Sequence, residues 1–330
     1  MPAALKNPGL MTLVRKFAWP VVGLAAILFS LYGLYHELHG LSAHDFVESL
    51  KAVPVKGWIL AGCATLAAYA ALAAYDHLAL EHLGHRISLG FITVCSFTAY
   101  ALSHTVGASV FSGAVVRFRA YGSKGLSAAE TGILVAFCSF TFLLGTLMLS
   151  AIVLLIEPEI TARFAAFLPI GASISTGLII LALITLYVVG SLVGFRPLKT
   201  RWFWLEYPKP SLALRQLLIA PVELIAAAAI IYFALPEAGN PGYMVVLGVF
   251  LASFSAALLS HAPGGLGVLE LVFIAGLPEM DPAGVLAALA IFRLFYLIVP
   301  FLIALLVVII FEHSQFLAGR QADRGQKHDE

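Results

Sequence analysis

The sequence predicts an all-α integral membrane protein, and three observations carry that prediction. Of its 330 residues, 61% are hydrophobic and only 11% charged, against roughly 25% charged in a soluble domain. Apolar runs of about 20 residues, the length that crosses a bilayer as a helix, recur along nearly the whole chain. Two of the hydrophobic stretches are interrupted at matching places in an internal repeat, the mark of transporter folds.

The first run, Phe17–Tyr35, follows Lys6, Arg15 and Lys16. It is long for the apolar region of a signal peptide and more spans follow at once, so it reads as a retained first helix. Clear spans then follow at Gly57–Tyr75, Gly132–Ile156, Phe167–Phe195, Leu212–Leu235, Tyr243–Leu259 and Pro282–Phe311. They are expected to be helices because hydrocarbon cannot satisfy an open backbone. Residues 88–116 are broken at 103–107, and the stretch after Leu259 is broken at 260–267. Apolar sequence continues on both sides of each break, so neither is a solvated loop.

The two breaks are related. Residues 96–108 align without gaps on 253–265, an offset of 157, and seven of the thirteen pairs are identical, including Ser103/Ser260, His104/His261 and Gly107/Gly264. Composition alone would give roughly one or two matches. If each broken segment enters the membrane and returns to the side it came from, with the N-terminus inside, then Arg117, Arg119 and Lys124 fall inside. Arg196, Lys199, Arg201, Lys209 and the tail residues Arg320, Arg324 and Lys327 also fall inside, while Glu157, Glu159, Glu237, Glu279 and Asp281 fall outside. That is the positive-inside pattern, with Lys51 and Lys56 as exceptions. Simple crossings put two of the basic clusters outside. The expectation is about eight transmembrane helices plus two re-entrant hairpins in an inverted repeat. Residues 1–16 and 314–330 would be cytoplasmic, and 17–313 a single transmembrane domain with repeat halves around 88–156 and 243–311. The setting is the inner (cytoplasmic) membrane, multi-pass, with both termini cytoplasmic.

Several residues could carry function. Broken helices at membrane depth are tolerated only inside protein or beside a water-filled cavity, so His104 and His261 either line a central site or satisfy freed backbone carbonyls. Gly264, Gly265 and Gly267, behind Pro263, let a new helix start inside the membrane. Its positive end suits a lipid phosphate, although small residues also serve tight helix crossings. Glu270 lies in the first turns of that helix. An intramembrane ionisable residue is a functional candidate by default. Arg117 and Arg119 are either positive-inside anchors or a phosphate clamp, since guanidinium binds phosphate bidentately. Arg293, mid-span, needs a protein partner, with Glu270 and Glu223 the candidates. Asp76 and His77, at the end of the second span, read as interfacial.

Other functions find no support. The net charge of +1 gives no preference for nucleic acid. Cys63, Cys95 and Cys138 lie in apolar runs without metal-ligand spacing or a disulfide framework. No nucleophile–base pattern or nucleotide motif stands out, so no catalytic residue, metal or cofactor is expected.

The stretch Pro263–Glu270, followed by an Arg in the next span, resembles the lysylphosphatidylglycerol synthase transmembrane-region family. Residues 113–120, small residues and then Arg117 and Arg119, are similar to that family's first-repeat segment. The resemblance covers about residues 14–316. It implies a flippase domain that translocates a phospholipid, such as an aminoacylated phosphatidylglycerol, between leaflets. On the reading of the residues themselves, His104, His261 and Glu270 would line the path, Arg117, Arg119 and Arg293 would bind phosphate or balance Glu270, and Gly107, Gly264, Gly265 and Gly267 would complete the substrate site. These 330 residues hold no stretch that reads as a soluble transferase domain, so the expectation leans to a transporter rather than an enzyme. Alternatives are a membrane component of lysylphosphatidylglycerol synthesis and a non-transporting partner of a lipid enzyme. Besides the phospholipid, a separate aminoacyl-lipid synthase and a second copy of the chain are candidate partners.

Overall fold

A computed structural model of the chain describes residues 43–106, 109–164, 174–194, 198–199, 204–205, 208–260 and 263–326. The expected first span, Phe17–Tyr35, and the site candidates Gly107 and His261 lie outside the described residues.

The described residues form eleven α-helices: α1 (Ala43–Ala52), α2 (Val55–His82), α3 (Leu89–Val106), α4 (Ser109–Gly122), α5 (Ala128–Ile156), α6 (Ile174–Val193), α7 (Pro210–Ala234), α8 (Tyr243–Ser260), α9 (Val268–Gly276), α10 (Pro282–Phe292) and α11 (Val299–Gln326). A minimal antiparallel ladder pairs β1 (Leu198–Lys199) with β2 (Trp204–Leu205). Six helical segments are long and apolar enough to cross a membrane: Val55–His82, Ala128–Ile156, Ile174–Val193, Pro210–Ala234, Tyr243–Ser260 and Pro282–Phe311. The protein is therefore a multi-pass membrane protein.

Local chemistry explains where the helices begin. Ser127 caps α5 by accepting the Glu130 backbone N–H at 3.2 Å, and the Glu130 carboxylate accepts the Ser127 N–H at 2.8 Å, a reciprocal box that satisfies two orphan donors. Asp281 accepts the Gly284 N–H at 3.3 Å ahead of Pro282, the first residue of α10. Proline also opens α7, at Pro210, where its missing N–H costs nothing.

The core is centred on α2 and α7, which pack along their length. Tyr75 of α2 donates to the Ala220 carbonyl of α7 at 2.5 Å. On the other side of that carbonyl, Gly145 lets α5 close in: a Cβ there would strike the backbone carbonyl of Ala220. Gly145→Val is therefore expected to push α5 off α7 and destabilise the fold by about 1–3 kcal/mol, the usual cost of overpacking. Denaturant unfolding in detergent checks this; an unchanged midpoint would contradict it.

Contacts at the helix ends sort the loops into two groups. In one group, His85 meets Glu130 at 2.9 Å, Arg215 pairs with Glu81, and the Lys124 ammonium lies 4.9 Å from the Phe91 ring centre. In the other, Arg163 donates to the Gly276 carbonyl at 2.9 Å and to Glu279 at 2.8 Å. Both expected chain breaks are present: α3 gives way to α4 after Val106, and α8 ends at Ser260 before α9 begins at Val268. The partners of each broken pair pack together, and the turn at 263–265 also touches α3. A Cβ built on Gly264 would stand 4.0 Å from the His104 carbonyl oxygen.

One boundary differs in a way that matters. The second span runs on past Tyr75 to His82. Asp76 is consequently not interfacial but fully buried, because a cation from α4 reaches it.

Candidate functional site

Among the described residues, the buried charges fall into three groupings. The first joins α2, α4 and α5. The Arg117 guanidinium forks onto Asp76, Nε to Oδ2 at 3.1 Å and the second nitrogen to Oδ1 at 2.8 Å. Tyr121 donates to Oδ2 at 2.8 Å, and the Cys138 thiol points to Oδ1 at 3.4 Å. The face of Tyr100 lies 4.4 Å from the guanidinium carbon, a cation–π contact that gains strength away from water. With Arg117 only 4% exposed, its reading as an interfacial anchor fails. Arg119, two residues on, is exposed, since alternate positions on a helix face different ways.

The second grouping closes the break between α8 and α9. Gly264, Gly265 and Gly267 all have positive φ, at 58°, 64° and 78°, a region open to glycine at little cost. This sharp turn would leave carbonyls bare in the membrane. Arg293 donates to the Gly264 carbonyl at 2.8 Å and to Glu270 through Nε at 2.7 Å. The other Glu270 oxygen accepts the Gly267 N–H at 2.8 Å. Of the two partners expected for Arg293, the structure realises Glu270. Arg293 also opens a π-helical turn, Arg293–Ile298, between α10 and α11, a departure from α-helix that recurs at functional places.

The third grouping surrounds Glu223, which is 1% exposed within α7. One of its oxygens accepts the Tyr296 hydroxyl. The Tyr296 carbonyl accepts the Tyr69 hydroxyl at 3.0 Å. His104 stacks on the Tyr296 ring at 5.1 Å and 18°, and Phe292 stacks on Tyr296 at 5.0 Å and 19°. Two buried atoms in this region have no hydrogen-bond partner among the described residues: Glu223 Oε2 and His104 Nδ1. Buried polar atoms are almost always paired, so these two orphans single out the residues that carry them.

They share a cavity. Its volume is about 260 Å³, and its wall takes Tyr75 from α2, Tyr100 and His104 from α3, Arg117 from α4, Cys138 from α5 and Glu223 from α7. The remaining wall is largely apolar and aromatic, including Phe142 and Phe254. Of the expected site residues, His104 and Arg117 line it. Gly264, Gly265, Gly267, Glu270 and Arg293 stand outside its wall and hold the neighbouring turn. The cavity also draws on Glu223, Tyr75 and Tyr100. Glu223 was legible only as a charge inside a span, and the tyrosines carried no signal that separates them from lipid-facing aromatics.

Comparisons with known proteins agree with this architecture. The family model described as "Lysylphosphatidylglycerol synthase TM region" matches residues 20–304. Uncharacterized protein slr0712 of Synechocystis is 29% identical, covering 96% of this chain and 98% of the relative. Inner membrane protein YbhN of Escherichia coli is 30% identical over 72% of this chain and 74% of its own length. A phosphatidylglycerol lysyltransferase of Staphylococcus aureus is 26% identical over 86% of this chain, which spans 33% of that larger protein.

Proposed function

Because the chain belongs to the lysylphosphatidylglycerol synthase transmembrane-region family, we propose that it carries a phospholipid between membrane leaflets, with the polar head group passing through the cavity beside Glu223. The cargo is an aminoacylated phosphatidylglycerol or a related lipid. One observation carries the reading: Glu223 and His104, each with a buried polar atom that has no partner among the described residues, line a cavity whose other walls are mostly apolar. Such a cavity gives a head group hydrogen-bond partners in a place where hydrocarbon offers none. Glu223 accepts donors, His104 donates or accepts according to tautomer, and Arg117, although held by Asp76, presents positive charge to a phosphate.

In this reading the two broken helix pairs, α3–α4 and α8–α9, are re-entrant hairpins of an inverted repeat that pack against each other beside the cavity. Support comes from the seven identities between residues 96–108 and 253–265, from the contact of α3 with the 263–265 turn, and from the two groups of end contacts. The phase of Lys124 over Phe91 brings the end of α4 back to the start of α3. Gly276, at the end of α9, is tied to Arg163 beyond the far end of α5. The proposed setting is the inner membrane, the location named for the YbhN relative, with both termini cytoplasmic.

The test is leaflet exchange in proteoliposomes, using fluorescent lysyl-phosphatidylglycerol, phosphatidylglycerol and phosphatidylethanolamine in turn. Exchange of at least one lipid should exceed protein-free vesicles by about ten-fold or more. Folded protein that accelerates none of them would sink the proposal. A second reading, the membrane part of a lipid-aminoacylating system with a separate synthase as partner, draws on the name of the Staphylococcus aureus relative. It predicts a defect in lipid aminoacylation, not in lipid exchange, when the protein is removed.

A further inference from the structure

The cavity wall reaches the surface at an unusual place. On α5 it is made by Val135, Cys138, Ser139 and Phe142, and on α8 by Phe254 and Leu258. The first set is spaced i, i+3, i+4, i+7 and the second i, i+4, so each is a single helix face. Most of these side chains are buried or half-buried. Ser139 and Leu258 are exposed, Leu258 by 39%. A residue that both lines a cavity and meets the outside marks its mouth.

The depth of that mouth says what it opens onto. Ser139 lies about 16 Å along the axis from Ala128 and about 25 Å from Ile156, at 1.5 Å per residue. A hydrocarbon core is about 30 Å thick. The mouth is therefore mid-span, facing lipid tails rather than water at a helix end. The Ser139 hydroxyl is already spent on the Val135 carbonyl at 2.9 Å, so the rim asks for no water. Toward Ile156 the gap is shut, where the Phe142 and Phe254 rings meet at 6.1 Å. On the other side α8 stops at Ser260, two residues past Leu258.

We infer that the gap between α5 and α8, framed by Ser139 and Leu258, is a lateral portal into the bilayer, and that the acyl chains of a cargo lipid lie in it while the head group occupies the cavity. This rests on the head-group reading above and adds the route of the tails: they stay in the bilayer and pass through the gap between α5 and α8. A soluble ligand would have to cross hydrocarbon to reach this mouth. A lipid is already there.

Plugging the portal tests it. Ser139→Trp and Leu258→Trp each place a large side chain in the rim, and Ile179→Trp places one on α6, at a position that is 61% exposed and away from the mouth. Leaflet exchange is measured for all three beside the wild-type protein and Glu223→Gln, in vesicles of phosphatidylglycerol and phosphatidylethanolamine. Both plugs should lower exchange by about ten-fold or more, and Ile179→Trp should leave it unchanged. If Ser139→Trp does not fold, Leu258→Trp carries the test alone. Plugged protein that exchanges lipid at the wild-type rate, while Glu223→Gln does not, overturns the portal and leaves the head-group reading standing. A folded wild-type protein that exchanges no lipid overturns both.

Discussion

Asp76→Ala is expected to cost about 3–5 kcal/mol, the usual result of stripping one partner from a buried ion pair. That is a large share of a typical stability of about 5–15 kcal/mol. Asp76 has no exposed surface, and Arg117 is bound to it by two parallel hydrogen bonds. Without the carboxylate, the guanidinium stays inside the protein at membrane depth, and the Tyr121 hydroxyl loses its acceptor. The damage is the stranded charge rather than the missing contact. The double variant Asp76→Ala/Arg117→Met should therefore be more stable than Asp76→Ala alone, because removing both charges removes the penalty. Unfolding midpoints in detergent for the two single variants and the double variant decide the matter. Costs that simply add would contradict the account.

Arg293→Ala should be damaging to a similar degree, about 3–5 kcal/mol, for a different structural reason. Arg293 ties the π-turn between α10 and α11 to the glycine turn between α8 and α9. It neutralises Glu270 and occupies the Gly264 carbonyl in one stroke. Losing it leaves a buried carboxylate and a bare carbonyl together. Arg293→Lys should rescue only part of the loss, since one ammonium cannot reproduce the planar fork that reaches both acceptors. Glu270→Gln should also be costly, because its one amide oxygen can accept from the Gly267 N–H or from Arg293 but not both, and the guanidinium loses its counter-charge. The same unfolding measurement ranks them. Equal stability of Arg293→Lys and the wild-type protein would contradict the clasp.

What was legible in the sequence follows from how each feature is encoded. Membrane spans are written in runs of apolar residues, so α5, α7 and α8 begin and end within a few residues of expectation. The breaks are written in glycine and proline: the second follows Ser260 as expected, while the first comes later than expected, because α3 continues through Ser103 and His104 to Val106. Asp76 misleads because a charge near the end of an apolar run looks the same whether it meets head groups or an arginine 41 residues away. Arg293 announces the need for a partner, but choosing Glu270 over Glu223 takes three-dimensional knowledge of the π-turn. The glycine motif marks the turn that the clasp secures, and the cavity lies beside it. Glu223 and the tyrosines around it have no local signature, since a tyrosine facing lipid and one holding a buried carboxylate are spelled alike.

The most direct test of the central claim compares the wild-type protein with Glu223→Gln in the leaflet-exchange assay, with unfolding measured on the same preparations. The amide keeps an acceptor for Tyr296 and the shape of the cavity wall, so the fold should survive, while the carboxyl group offered to the head group is gone. The account predicts that lipid exchange falls by about ten-fold or more at unchanged stability. A folded Glu223→Gln protein that moves lipid as fast as the wild type would contradict it.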